Sequence, residues 1–403
     1  MPRLLFALLA LALFSASAED WTHRPVRVSA NEFPIIAWSG SPSDAESLRL
    51  MKEAGLNVTG FCRVEELDKV RDAGLTCIVS RTPLEAMVDK PETTDAQIQE
   101  AVSALAARIG SHPAAFGVYL RDEPSAKQMP MIGRLAAALL KAMPTKLPYV
   151  NLFPNYANRQ QLATDSYEAH LRAYLQFIKL PYLSWDNYSL TDGEMQQSFY
   201  DNLDIVRRLT LEANIPFWNC ILATTMFRYL EPSDATFNLQ VYGTLAYGGR
   251  GIEYFTYFTP DNGNYRLAAV DPFGNRTATW DAMRRINNQI HALAPTILKL
   301  RSTGVYHWPV STAAGTPLLK DLKTSAKLIV GEFVDTSGRP YVMLVNKSLK
   351  ESVTIRPETW KEGAVIYRVS PASGKEGGFG GESNWLAPGA GVLLRIGDPQ
   401  PAK

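Results

Sequence analysis

Ser111-His-Pro-Ala-Ala-Phe-Gly-Val-Tyr-Leu-Arg-Asp-Glu-Pro124 is the stretch on which the reading of this chain turns. Ala115 to Leu120 is an apolar run of the kind a strand buried on both faces requires. Pro124 removes a backbone donor and ends the ladder. Asp122 and Glu123 are thereby left at the carboxyl end of a buried strand, where parallel barrels assemble their active sites. The alternative is an acid pair that opens the next helix, since Asp and Glu are favoured at helix starts.

Outward from this segment, strand-like and helix-like runs alternate. The strands are Ile35 to Trp38, Asn57 to Phe61, Thr76 to Ser80, Ala115 to Leu120, Tyr149 to Phe153, Tyr182 to Trp185, Phe217 to Leu222 and Gly251 to Phe258. Between them, apolar residues recur every three or four positions over Ala45 to Ala54, Ala96 to Ile109, Met129 to Ala142, Ser166 to Phe177, Gln196 to Ala213 and Asp234 to Tyr247. Ser43 and Thr94-Asp95 precede two of these runs, and Gly55 and Gly74 follow helical ones. Such a rhythm predicts an α/β fold, a closed (β/α)8 TIM barrel over residues 28–300. An open doubly wound sheet is the runner-up, and Ser39-Gly-Ser-Pro-Ser43 is a poor phosphate turn for it.

Past residue 300 the runs Lys327 to Val334, Tyr341 to Asn346, Glu351 to Ile355, Ala364 to Val369 and Gly391 to Ile396 are separated by turn clusters. A small all-β sandwich domain over 301–398 is expected to follow the barrel. Residues 1–18 read as a signal peptide, with Arg3, the apolar run Leu4 to Phe14 and the small-residue site Ala16-Ser17-Ala18. The expectation is an exported protein, periplasmic or extracellular, without a membrane anchor.

The 403 residues carry a formal net charge of +1 with acids and bases interspersed, which argues against a nucleic-acid partner. Cys62, Cys77 and Cys220 lack metal-ligand spacing. Buried thiols are the favoured reading, with a Cys62–Cys77 bridge as the alternative in an oxidising compartment. No cofactor and no metal are expected, since the five histidines are scattered.

The strand tips carry Trp38; Arg63; Arg121, Asp122 and Glu123; Asn151; Trp185, Asp186 and Tyr188; Trp218 and Asn219; and Glu253 and Tyr257. Aromatic faces stack on the apolar faces of sugar rings, while Asp, Asn and Arg bond the hydroxyls. A carbohydrate is therefore the expected substrate.

The motifs H-P-x-x-x-G-x-x-L-x-D-E-P, ending at Pro124, and Tyr182-Leu-Ser-Trp-Asp-Asn-Tyr188 resemble the fourth and sixth strands of (β/α)8 glycoside hydrolases, nearest to the family 42 β-galactosidases and their relatives. The resemblance implies that Glu123 is the general acid/base and that Trp185, Asp186 and Tyr188 contribute to the substrate pocket. It also implies an all-β domain after the barrel. At strand seven the chain departs from this pattern: that group keeps a nucleophilic Glu there, and Pro216-Phe-Trp-Asn-Cys-Ile-Leu-Ala-Thr-Thr225 has no carboxylate.

Glycosidic cleavage generally takes two carboxyl groups. For the second, Asp186 at a strand tip and Glu253 inside an apolar strand both stand. Counting from Gly117 and Gly251 puts Glu253 deeper than Glu123, which favours Asp186. Glu253 could instead be a buried acid paired with Arg63 or Arg121. The expectation is a secreted glycoside hydrolase with Glu123 as acid; the alternative is a catalytically inactive carbohydrate-binding protein on the same barrel.

Overall fold

A computed structural model describes residues 33–40, 44–310, 315–380 and 384–398. The leader segment and Ser43 lie outside these residues. Eight parallel strands close on themselves in chain order: β1 (Ile35–Ala37), β2 (Val58–Cys62), β3 (Thr76–Val79), β4 (Ala115–Asp122), β5 (Leu147–Leu152), β6 (Leu183–Asp186), β7 (Phe217–Leu222) and β8 (Ile252–Phe255). Because β1 pairs with both β2 and β8, the sheet has no edge and the open doubly wound alternative is excluded. Each strand is buried almost throughout, as a sheet covered by helices outside and packed side chains inside demands.

The helix layer comprises α1 (Ala45–Glu53), α2 (Leu67–Asp72), α3 (Asp95–Ile109), α4 (Met129–Ala142), α5 (Tyr167–Phe177), α6 (Gln197–Ala213), α7 (Asp234–Ala246) and α8 (Ala278–Ile297). Their starts are set by side chains: Asp44 Oδ1 accepts from Ser47 N at 2.9 Å, and Thr94 and Gln97 form a reciprocal box on α3. Gly55 and Gly74, at φ +83° and +69°, leave α1 and α2 in the left-handed region that glycine adopts without steric cost. The sequence reading draws no helix between Phe258 and residue 300, yet α8 is there. Its apolar positions Trp280, Met283, Ile286, Ile290 and Leu293 keep helical spacing, but Asn287 and Pro295 dilute the pattern.

Arg301–Trp308 opens the β domain as β9, followed by β10 (Leu328–Val334), β11 (Pro340–Asn346), β12 (Val365–Val369), β13 (Glu376–Gly378) and β14 (Gly391–Gly397) in one six-stranded sheet of order β9-β10-β11-β14-β12-β13. Strand alternation gives this sheet two apolar faces. Ile329, Met343, Val345 and Leu393 join the barrel's core. Leu328, Val330, Val342, Leu344 and Leu394 form a second core with Leu319 and Leu386 from short β-ribbons and with Ile355 beside one of them. Helix α7 is buried on nearly all sides because it lies between the barrel and this sheet, where an all-round apolar helix belongs. Close approach fixes the seam: a Cβ on Gly331 would meet Ala246 O at 2.1 Å. Among the described residues no helix is long and apolar enough to cross a membrane.

The expectation of three buried thiols is corrected in part. Cys62 and Cys77 are joined in a disulfide with Cα atoms 6.4 Å apart, because β2 and β3 run side by side. Cys220 is free and buried.

Candidate active site

Alternation along each strand decides which side chains enter the barrel. On β7, Asn219 Nδ2 donates to Thr244 Oγ1 of α7 at 2.8 Å, so Asn219 faces the helices and Trp218, Cys220 and Leu222 face inward. On β8, Tyr254 OH donates to Asn287 Oδ1 of α8 at 2.6 Å, which turns Glu253 and Phe255 inward. By the same parity Ser184 and Asp186 of β6, and Tyr149 and Asn151 of β5, line the interior.

At the carboxyl end of the barrel three acids converge. Asn151 Nδ2 donates to Asp122 Oδ1 at 3.1 Å and to Asp186 Oδ1 at 3.0 Å, tying β4, β5 and β6 together. Glu123 follows Asp122 with φ +46°, a left-handed conformation uncommon for a side-chain-bearing residue, and its N–H donates to Asn151 O at 2.8 Å. Among the described residues no hydrogen bond holds the Glu123 carboxyl, and no Lys or Arg forms an ion pair with any of the three acids. Arg121, the neighbouring cation, instead gives Nη2 to both oxygens of Asp89 at 2.6 and 2.7 Å.

Burial raises all three. Glu123 is pushed up to about 7 by desolvation and then by the Asp122 charge. Desolvation brings Asp122 to about 6 against the pull of Asn151. Asp186, only 5 % exposed, is held well above the ordinary carboxylate range by burial and then by Glu123 and Asp122.

Glu253 sits one layer lower. Tyr149 OH donates to its Oε2 at 2.5 Å, and Ser184 Oγ lies 3.1 Å from its Oε1. Those partners stand two residues before Asn151 and Asp186 on their own strands, which sets the depth. Fully buried, Glu253 is raised to about 8 by desolvation. Pairing with Arg63 or Arg121 is corrected: Arg63 is exposed beyond β2, and Arg121 is occupied by Asp89.

Around the acids Trp38 packs against Phe61 and Phe255, with ring centroids 5.2 and 5.6 Å away, and Tyr188 stacks on Phe255 at 5.2 Å. The Trp38 indole N–H is buried without a hydrogen-bond partner among the described residues. Tyr156, half exposed, accepts from Tyr188 N at 3.0 Å.

Four proposed sugar contacts are placed elsewhere. Trp185, between inward-facing Ser184 and Asp186, points to the helix layer and is fully buried. Asn219 is spent on Thr244. Trp218 points inward but forms the barrel floor, its ring 4.3 Å from Tyr182 and 6.1 Å from Phe116. Tyr257 accepts from Trp280 Nε1 of α8 at 3.0 Å. Conversely, Phe61, Tyr149, Ser184 and Phe255 belong to the interior; parity counted from Asp186 and Glu253 finds Ser184 and Phe255. Among the described residues no cluster of three or more His, Cys, Asp or Glu is arranged to hold a metal ion.

No family model and no curated protein matches the chain. A solved structure described as a glycoside hydrolase superposes with TM-score 0.54 at 14% identity, covering 91% of this chain and 93% of that one. A glycoside hydrolase family 5 protein from Bacteroides vulgatus gives TM-score 0.54 at 13% identity over 91% and 90%. The likeness is one of fold. A β-galactosidase from a psychrophilic Marinomonas gives TM-score 0.48 at 11% identity, over 66% of this chain and 62% of that one.

Proposed function

We propose that the protein is an exported glycoside hydrolase acting on a carbohydrate, with Glu123 as general acid and Asp186 as the second carboxyl group. The observation that carries this reading is the gathering of Asp122, Glu123 and Asp186 at the barrel mouth, with no cation paired to them among the described residues. Such a site offers negative potential in a poorly solvated setting, which favours the positive charge that develops on a sugar ring as its glycosidic bond breaks. Glu123, titrating about 7, is partly protonated at neutral pH and suits proton donation.

In the reaction the bond from the anomeric carbon to the leaving oxygen breaks, and the Glu123 proton passes to that oxygen. Asp186 either takes a proton from the water that attacks the anomeric carbon, or attacks that carbon itself and is released by water in a second step. Asn151 supports the ionised form of Asp186 by donation, and Asp122 raises Glu123 by its charge. Trp38, Tyr188 and Phe255 offer ring faces to the sugar. Kinship with the family 42 β-galactosidases rests on the β4 and β6 motifs. Export rests on the leader pattern, and the Cys62–Cys77 bridge agrees with an oxidising compartment.

A panel of aryl α- and β-glycosides tests the reading, with wild type, Glu123→Gln and Asp186→Asn compared and the product anomer followed by NMR. Turnover abolished by both substitutions supports it, and the anomer distinguishes water activation from direct attack. Oligosaccharide binding without turnover in the wild type would replace it with the inactive binding protein.

A further inference from the structure

Counting hydrogens below the mouth leads to a role for Glu253. Asn151 has two amide hydrogens, and Asp122 and Asp186 take both. With either of those acids ionised, the amide nitrogen must face them, so Asn151 Oδ1 needs a donor. Ser184 Oγ, 2.8 Å away, is that donor and has one hydrogen to give. Its second contact, Glu253 Oε1 at 3.1 Å, then holds together only if the hydrogen comes from Glu253. Tyr149 OH meanwhile supplies Oε2. A neutral Glu253 satisfies every contact in the chain. An ionised one would claim the Ser184 hydrogen and leave Asn151 Oδ1 without a donor.

We infer that Glu253 is protonated in the working protein and acts as a positioning residue: through Ser184 it orients the Asn151 amide so that both its hydrogens face Asp122 and Asp186. The functional part of this inference rests on the proposed reading of the mouth carboxyls; the protonation does not. The surroundings agree. Among the described residues, Tyr149 on β5, Tyr182 just before β6, Cys220 on β7 and Asp122 on β4 are the titratable groups that act on Glu253, and none is cationic. Burial holds the Glu253 carboxyl up at about 8.

The test uses the whole protein and the variants Glu253→Gln, Glu253→Ala and Ser184→Ala. At pH 7 the infrared difference between wild type and Glu253→Gln should show the carbonyl band of a protonated carboxylic acid; a carboxylate band overturns the inference. Raising the pH from 5 to 8 should lower the wild-type Tm more than that of Glu253→Gln, and parallel curves overturn it. With a hydrolysed glycoside, Glu253→Ala should lose roughly ten- to hundredfold in kcat through misplacement of the acids, and Glu253→Gln should restore it to within about threefold of wild type. Failure of that rescue, with folding intact, contradicts the positioning role. Should Glu253→Gln not fold, Ser184→Ala decides: loss of the fixed amide raises the acid limb of the pH–rate profile, and an unmoved limb contradicts the inference. Without any turnover, the infrared and melting results still read the proton on Glu253, so failure of the enzyme reading is told apart from failure of this one.

Discussion

Glu123, just past the end of β4, and Glu253, inside β8, are both barrel glutamates without a cationic partner among the described residues, and the fold treats them oppositely. Glu123 stands at the mouth, part exposed, with no hydrogen bond on its carboxyl among the described residues and its charge state governed by burial and Asp122. Glu253 lies a layer below, fully buried, with Tyr149 and Ser184 on its oxygens. An unfixed acid near neutral pH can move its proton to a ligand. An acid enclosed by donors and acceptors can only pass order to its neighbours. Elevated pKa marks both residues, so accessibility, more than titration, separates chemistry from architecture here.

The contrast can be broken most sharply at the mouth. Asp186→Asn should lower kcat/KM by about a thousandfold or more on any glycoside, because no other inward carboxyl replaces it on β6, and steady-state kinetics would show this. Glu123→Gln should cost about a hundred- to ten-thousandfold on substrates with poor leaving groups and far less on nitrophenyl glycosides, whose departure needs no proton. Wild-type activity should fall above pH 7 as Glu123 loses its proton, and that alkaline limb should vanish in Glu123→Gln.

Stability sharpens the other half. Glu253 titrates about 8 folded against an ordinary 4.5, so between those values the folded state keeps a proton that the unfolded state has released. Stability from this group therefore falls as pH rises through that window, by up to about 1.4 kcal/mol per pH unit, and Glu253→Gln should flatten the fall in urea titrations. The smallest effect is expected at Arg121. Engaged with Asp89 at the surface, it should tolerate Lys with less than about 1 kcal/mol lost and kcat/KM unchanged.

Much of this arrangement was legible in the chain. Apolar runs buried on both faces mark all eight barrel strands, and Asp122, Glu123 and Asp186 fall at their tips. What strand-tip position does not convey is parity. Trp185 and Asn219 sit at the right height but on the outer side of their strands, while Ser184 and Phe255, which look like ordinary strand residues, face inward. Trp218 misses the site for a different reason: it faces inward but two residues too low. Hydrogen-bond partners from distant strands, such as Tyr149 with Glu253, follow from closure of the barrel and leave no local signature. The Arg121–Asp89 pair is likewise a contact between β4 and the segment before α3 that no spacing announces.

The proposed chemistry depends on Glu123 as a proton donor, and the most direct measurement is a leaving-group series of aryl glycosides for wild type and Glu123→Gln. The prediction is a steep dependence of kcat/KM on leaving-group pKa in the variant and a shallow one in the wild type, because the acid compensates for poor departure. Parallel slopes would contradict the central claim and remove Glu123 from the chemistry.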